Sequence, residues 1–326
     1  MLKKLIRTIV SFVSPVADIL LAPVTFLGAL YFALLKRIGL RRLAISRSIF
    51  HFTGMFPLVD HYYEPLFNPR HLKAPLDRDR VLPGLDLATE NQLNLLSRFT
   101  FTEELRRIPV NATSELTYYY HNGSYESGDA EFLYQMVRLY KPKNIIEIGC
   151  GQSTLLIQRA LTANREENRE NNCNHTCVEP YENPWLEKLA VILKRSKVED
   201  LPLEFFSVLG PGDILFIDSS HVVRPQGDCE FEYLRLLPSL AKGVVIHVHD
   251  IFTPKDYPRE WIVEEGRIWT EQYLLEAFLS HNKDFRVIGA VNYLHHHHRQ
   301  ALAAVAPMLA TEPDREPGAF WLEKIH

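Results

Sequence analysis

From Ser127 to the C-terminus, short apolar runs alternate with segments of helical periodicity, and this alternation restricts the fold more than any other feature. Ser127-Gly128-Asp129 can cap a helix to Tyr140, whose Phe132, Leu133, Met136, Val137 and Tyr140 share one face. Pro142 ends it, and 143–149 reads as a buried strand. A helix is expected from Ser153 to Leu161, a solvated polar insertion over 164–174, a second strand over 175–179 and a helix over 185–193. Asp213–Asp218 is an apolar strand between two carboxylates. A helix over 229–240, a strand over 243–249, a helix over 270–279 and closing strands over 285–291 and 319–324 complete the pattern. Such alternation implies an α/β fold with a mostly parallel sheet and helices on both faces.

Three stretches are expected: an apolar helical segment over 1–42, an irregular to helical cover over 43–126, and the α/β domain over 127–326. The first carries Lys3, Lys4, Arg7, Lys36, Arg37, Arg41 and Arg42 against one acid, Asp18, and its 17 residues from Ile19 to Leu35 are uncharged. A membrane anchor suits this pattern best, with the α/β domain on the cytoplasmic side. A helical hairpin and a cleaved signal are the other readings. Pro15 and Pro23 should kink or interrupt the helix. Helical periodicity returns over 89–99 and 102–107.

A net charge of −4 gives no electrostatic reason to expect nucleic acid. Four cysteines suggest a reducing compartment, and Cys173 with Cys177 finds no second pair for a zinc site. His295–His298 reads as a solvated loop, with metal binding as the lesser reading.

The chemistry concentrates in two places. Glu147-Ile-Gly149-Cys-Gly151-Gln-Ser153-Thr154 is a strand, a glycine turn and a helix start. Glycines let the backbone approach a ligand, and ligands of open parallel sheets bind beyond the strands' carboxyl ends. Thr154 stands where a dinucleotide fold would place its third glycine, which disfavours a nicotinamide enzyme. Glu179 ends the next strand, where a carboxylate can accept both hydroxyl protons of a ribose. The second place is Asp218, His221, His249 and Asp250, at the ends of the fourth and fifth strands.

With Val-Glu-Pro at 178–180, Phe-Ile-Asp-Ser-Ser-His at 216–221 and Gly-Val-Val-Ile-His-Val-His-Asp-Ile at 243–251, this ordered set resembles the class I S-adenosylmethionine (SAM)-dependent methyltransferases, and among them the catechol-type O-methyltransferases of small molecules. The resemblance begins near Ser127. It implies a Rossmann-like fold, SAM as cofactor and methyl transfer to a small-molecule, sugar or lipid-linked hydroxyl. It places Glu147 near the methionine amino group, with Gly149, Gly151 and Ser153 in the cofactor turn, and Glu179 on the ribose. Ser127 and Asp129 would sit near the methionine moiety and Asp200 near the adenine. His221 would be the general base, with Asp218 and Asp250 as catalytic partners. In such relatives the two aspartates hold a divalent ion. Here Ile251 replaces their third ligand, so magnesium is possible but a metal-free reaction is favoured. The alternative is an inactive SAM-fold protein tethered to a membrane as an interaction module.

Overall fold

The computed structural model describes residues 2–326, with side chains described from Val13 onward. It divides into two compact units, one ending at Lys73 and the other spanning Ala74–His326.

In the first unit, α1 (Leu2–Ile38) is one helix that contains both Pro15 and Pro23. The interruption expected from the prolines does not occur. Each proline deletes one backbone hydrogen bond and leaves its neighbours to hold the helix. The segment Val13–Ile38 has a mean hydropathy of 1.9 and is long and apolar enough to cross a membrane. The side chains of Lys3, Lys4 and Arg7 lie outside the described residues. Gly39, at φ +92°, turns the chain into the short turn Leu40–Arg42, and α2 (Ala44–Thr53) follows.

The second unit begins with irregular chain, then α3 (Thr89–Ser97) and α4 (Thr102–Leu105). The α/β part follows as α5 (Asp129–Tyr140), β1 (Asn144–Ile148), α6 (Gln152–Glu167), β2 (Asn174–Val178), β3 (Ile192–Lys194) and β4 (Ile214–Ile217). Next come α7 (Asp228–Phe231), a wider turn over Glu232–Leu236, α8 (Leu237–Ser239), β5 (Val245–Val248) and α9 (Glu271–Leu279). The chain ends with β6 (Phe285–Ala290), α10 (Val291–His297), α11 (Arg299–Val305) and β7 (Phe320–Lys324). The sheet order is β3-β2-β1-β4-β5-β7-β6. Strands β1 to β5 pair in parallel, and β7 runs antiparallel to both neighbours. Alternate residues of each strand enter opposite cores. Ile145, Ile214, Phe216 and Val245 pack on one face, and Ile146, Leu215, Ile217 and Ile246 on the other.

Three local expectations need correction. Residues 185–193 are not a helix. Pro184–Lys188 makes a tight turn, and Ile192–Lys194 becomes the edge strand beside Thr176–Val178. The polar stretch from Asn164 is not all loop, because α6 continues to Glu167. Asn164 is buried and its side-chain amide donates to the Val137 carbonyl at 3.0 Å. The four histidines are not a solvated loop either. His295 to His297 lie on α10, and His295 is buried because Leu294 and Val291 of the same helix dock in the core.

Candidate active site

The crossover between β1 and α6 creates the first part of the site. Gly149 follows β1 at φ +76°, and a Cβ there would lie 1.8 Å from the Asp218 carbonyl oxygen. Only glycine fits so close to the end of β4. Beyond this turn a cavity of about 590 Å³ opens, lined by Gly149, Gly151, Gln152, Ser153, Glu179 and Asp218 among others. It lies at the carboxyl ends of β1, β2 and β4, and the amides at the start of α6 form its positive edge.

Glu179 is shaped by its own loop. Its Oε1 accepts the amides of Tyr181 and Glu182 at 2.9 and 2.8 Å. Its Oε2 has only the long 3.4 Å contact from the Cys150 amide, and so keeps capacity for further donors. The buried Oε1 of Gln152 has no hydrogen-bond partner among the described residues. An unsatisfied buried acceptor is costly in isolation, and a ligand's ammonium would satisfy it.

Several expected cofactor residues stand elsewhere. Glu147 does not line the cavity. Its Oε1 accepts from Ser153 Oγ at 2.6 Å, and its Oε2 lies 2.8 Å from His175 Nε2. It therefore reaches the cavity only through Ser153. Ser127 is buried and its hydroxyl donates to Glu312. Asp129 accepts the Ala319 amide at 2.6 Å, which ties α5 to the start of β7. In their place the preceding turn sends Ser124 and Tyr125 to the cavity wall. Asp200 is exposed on a tight turn whose Val198 and Glu199 face the cavity instead, because successive side chains of such a turn point in different directions.

The second part of the site is a buried knot of charge beside Asp218. Strands β4 and β5 are neighbours, so their ends converge. Asp250 adopts φ +58°, which turns the chain sharply after β5. His221 adopts φ +60°, is buried, and sits among three carboxylates. Its Nδ1 is 2.7 Å from Glu271 Oε2, and its Nε2 is 3.2 Å from Asp218 and 3.5 Å from Asp250. Tyr233 donates to the other Glu271 oxygen at 2.9 Å. His249 Nδ1 lies 3.5 Å from Asp218 and 3.6 Å from Asp250, and Tyr125 covers its ring at 4.8 Å.

These contacts set the protonation. Burial opposes charge on His221, but Asp218 and Glu271 outweigh it and raise its pKa well above the ordinary imidazole range. Burial likewise opposes charge on His249, and Asp250 with Asp218 raises it well above that range. For Asp218 burial favours the neutral acid, but the two histidines hold its pKa well below the carboxylate range. For Asp250 burial wins and the pKa is raised. Asp218, His249 and Asp250 each offer a ligand atom within 4.8 Å of the other two, a donor set suited to a divalent ion. Ile251 instead packs in the core.

Glu271 was not singled out in the sequence. It lies 50 residues from His221 and is an ordinary helix-start acid by its local pattern. Gln152 had a stronger signal, since it sits inside the glycine-turn motif.

Residues 146–251 match the family model of a methyltransferase domain. The matched segment runs from within β1 through the end of β5, and so contains the glycine turn, Glu179, Asp218, His221 and Asp250. Over this segment the chain carries a methyltransferase domain. It is 25% identical over 196 residues to an uncharacterised protein from Archaeoglobus fulgidus, covering 56% of this chain and 87% of that one. Among solved structures it is similar to an O-methyltransferase from Bacillus cereus in complex with SAH, at 14% identity and a TM-score of 0.31, over 72% of this chain and 91% of that one.

Proposed function

We propose that the chain is a membrane-anchored O-methyltransferase that methylates a hydroxyl of a small-molecule, sugar or lipid-linked acceptor. The observation that carries this reading is the placement of Asp218, which belongs both to the cavity wall and to the buried charge cluster. A cofactor in the cavity and a proton acceptor in the cluster would thus meet at one residue.

The residues of the cavity suit SAM. The start of α6 can receive the methionine carboxylate, Gln152 Oε1 the ammonium, Glu179 Oε2 the ribose hydroxyls, and Val198 the adenine face. When bound, SAM supplies an electrophilic methyl group and its leaving group. The protein's own work is to position the acceptor and remove its proton. His221 is the proton acceptor in this reading, with Glu271 fixing its ring through Nδ1 so that Nε2 faces Asp218 and Asp250. Because neighbouring carboxylates raise its pKa, the neutral imidazole forms at higher pH than for an ordinary histidine, and turnover should rise in that direction.

Asp218, His249 and Asp250 would hold a divalent ion, which could lower the pKa of the acceptor hydroxyl. The metal-free route is favoured because His249, whose charge Asp250 and Asp218 favour, already sets a positive charge against both aspartates. A crystal structure with S-adenosylhomocysteine tests the reading. Density running from the α6 start to Glu179, with its sulfur end beside Asp218, supports it. Density elsewhere on the domain overturns it.

A further inference from the structure

We propose that α2 lies in the headgroup layer of an anionic lipid membrane, with Ile45, Ile49 and Phe52 in the acyl chains and nearby arginines on the lipid phosphates. The inference rests on the reading of α1 as the membrane anchor and adds a second, surface-lying contact to it.

Ile45, Ile49 and Phe52 recur at i, i+4 and i+7 and share one helix face, the spacing by which a helix normally meets its core. Here they are exposed by 80%, 53% and 92%. The helix has already met its internal partner on another side, where the buried Phe50 ring lies 5.8 Å from Phe32. Met55 and Phe56 just after Gly54, and Tyr62 and Tyr63 further on, are also exposed. An exposed apolar helix face of this kind calls for an apolar partner, and tyrosines favour the level of the lipid headgroups.

The position of α2 along α1 identifies that partner. Phe32 precedes the last residue of α1, Ile38, by six positions, which is about 9 Å of helix at 1.5 Å per residue. The Phe50 contact therefore holds α2 near the basic end of the apolar segment, the depth at which interfacial helices lie. Charge agrees with depth. Arg37, Arg41, Arg42 and Arg47 are exposed and have no ion-pair partner among the described residues. The nearby acids are engaged, Glu64 with Lys36 and Asp60 with His71 and Asn68. Four uncompensated guanidiniums beside an apolar stripe match phosphate-bearing lipid better than a protein surface.

The test uses the full chain with Cys173→Ser, which leaves only buried cysteines. A fluorophore is attached through Phe52→Cys, or through His51→Cys off the apolar face. The protein is reconstituted in phosphatidylcholine vesicles with and without phosphatidylserine, containing spin-labelled quencher lipids. Quenching should be strong at position 52 and weak at 51, and stronger with phosphatidylserine. Changing Arg41, Arg42 and Arg47 to Gln should lower the docked-to-free ratio by about fivefold per arginine. Protein that floats with vesicles while position 52 stays unquenched overturns the proposal and leaves the anchor standing. Cross-linking between copies through position 52 also overturns it and assigns the face to a second chain. Protein that does not associate with vesicles at all removes both the anchor and this proposal.

Discussion

His221 shows how three carboxylates from distant parts of the chain tune one side chain. Asp218 precedes it by three residues, Asp250 comes from the next strand, and Glu271 from the first turn of α9. Its pKa is raised, so the stability that its charge contributes is present below pH 6.5 and is lost as pH rises through the higher folded value. With His221 as the proposed proton acceptor, the same shift would set the acid limb of activity. Glu271→Gln removes one negative charge, which lowers the His221 pKa and should move that limb to lower pH. A profile that moves upward or stays fixed contradicts the positioning role of Glu271. His221→Gln should lower turnover by roughly 10²–10⁴-fold while SAM affinity stays close to that of the unchanged protein. If cofactor affinity and melting temperature fall together with little further loss of turnover, the histidine is structural.

At the scale of elements, the βα turn carries the tightest requirement. Gly149→Ala would place a methyl group 1.8 Å from the Asp218 carbonyl in a backbone region that alanine avoids. We expect a loss of roughly 2–4 kcal/mol, read by calorimetry as a melting temperature lower by roughly 5–15 °C. An unchanged melting temperature would contradict the contact between β1 and β4. This turn was legible in the sequence because glycine spacing reports backbone geometry directly. The central strands were legible as well, since Ile214–Ile217 reads as an unbroken apolar run, and Ile145–Ile148 and Val245–Val248 are apolar but for Glu147 and His247, all buried on both faces. The edge strand Ile192–Lys194 was not, because three partly exposed residues leave no such run. The cluster partners were half legible. Asp218, His221, His249 and Asp250 follow from strand ends, whereas Glu271 depends on how α9 packs over the sheet. Glu147 and Asp129 were cofactor candidates in the sequence, but their pairing with Ser153, His175 and the Ala319 amide is set by tertiary contacts.

At the scale of the whole molecule, the apolar helix and the catalytic unit make separable predictions. Full-length protein should pellet with membranes and need detergent for release, while a chain starting at Ala74, which lacks both α1 and α2, should lose that behaviour. Monodisperse full-length protein in a detergent-free supernatant would contradict the anchor. Turnover should persist in EDTA, because His249 already sets a positive charge against Asp218 and Asp250. Loss of turnover in chelator that magnesium restores would assign the aspartates to a metal instead. The account depends most directly on whether the cavity over Gly149 and Glu179 binds SAM. Isothermal titration of the folded protein with SAM measures this, alongside Glu179→Ala. The expected result is saturable binding at one site per chain, weakened by roughly 1.5–3 kcal/mol in the variant at an unchanged melting temperature. Absence of SAM binding by the folded protein, or equal affinity in the variant, would contradict it.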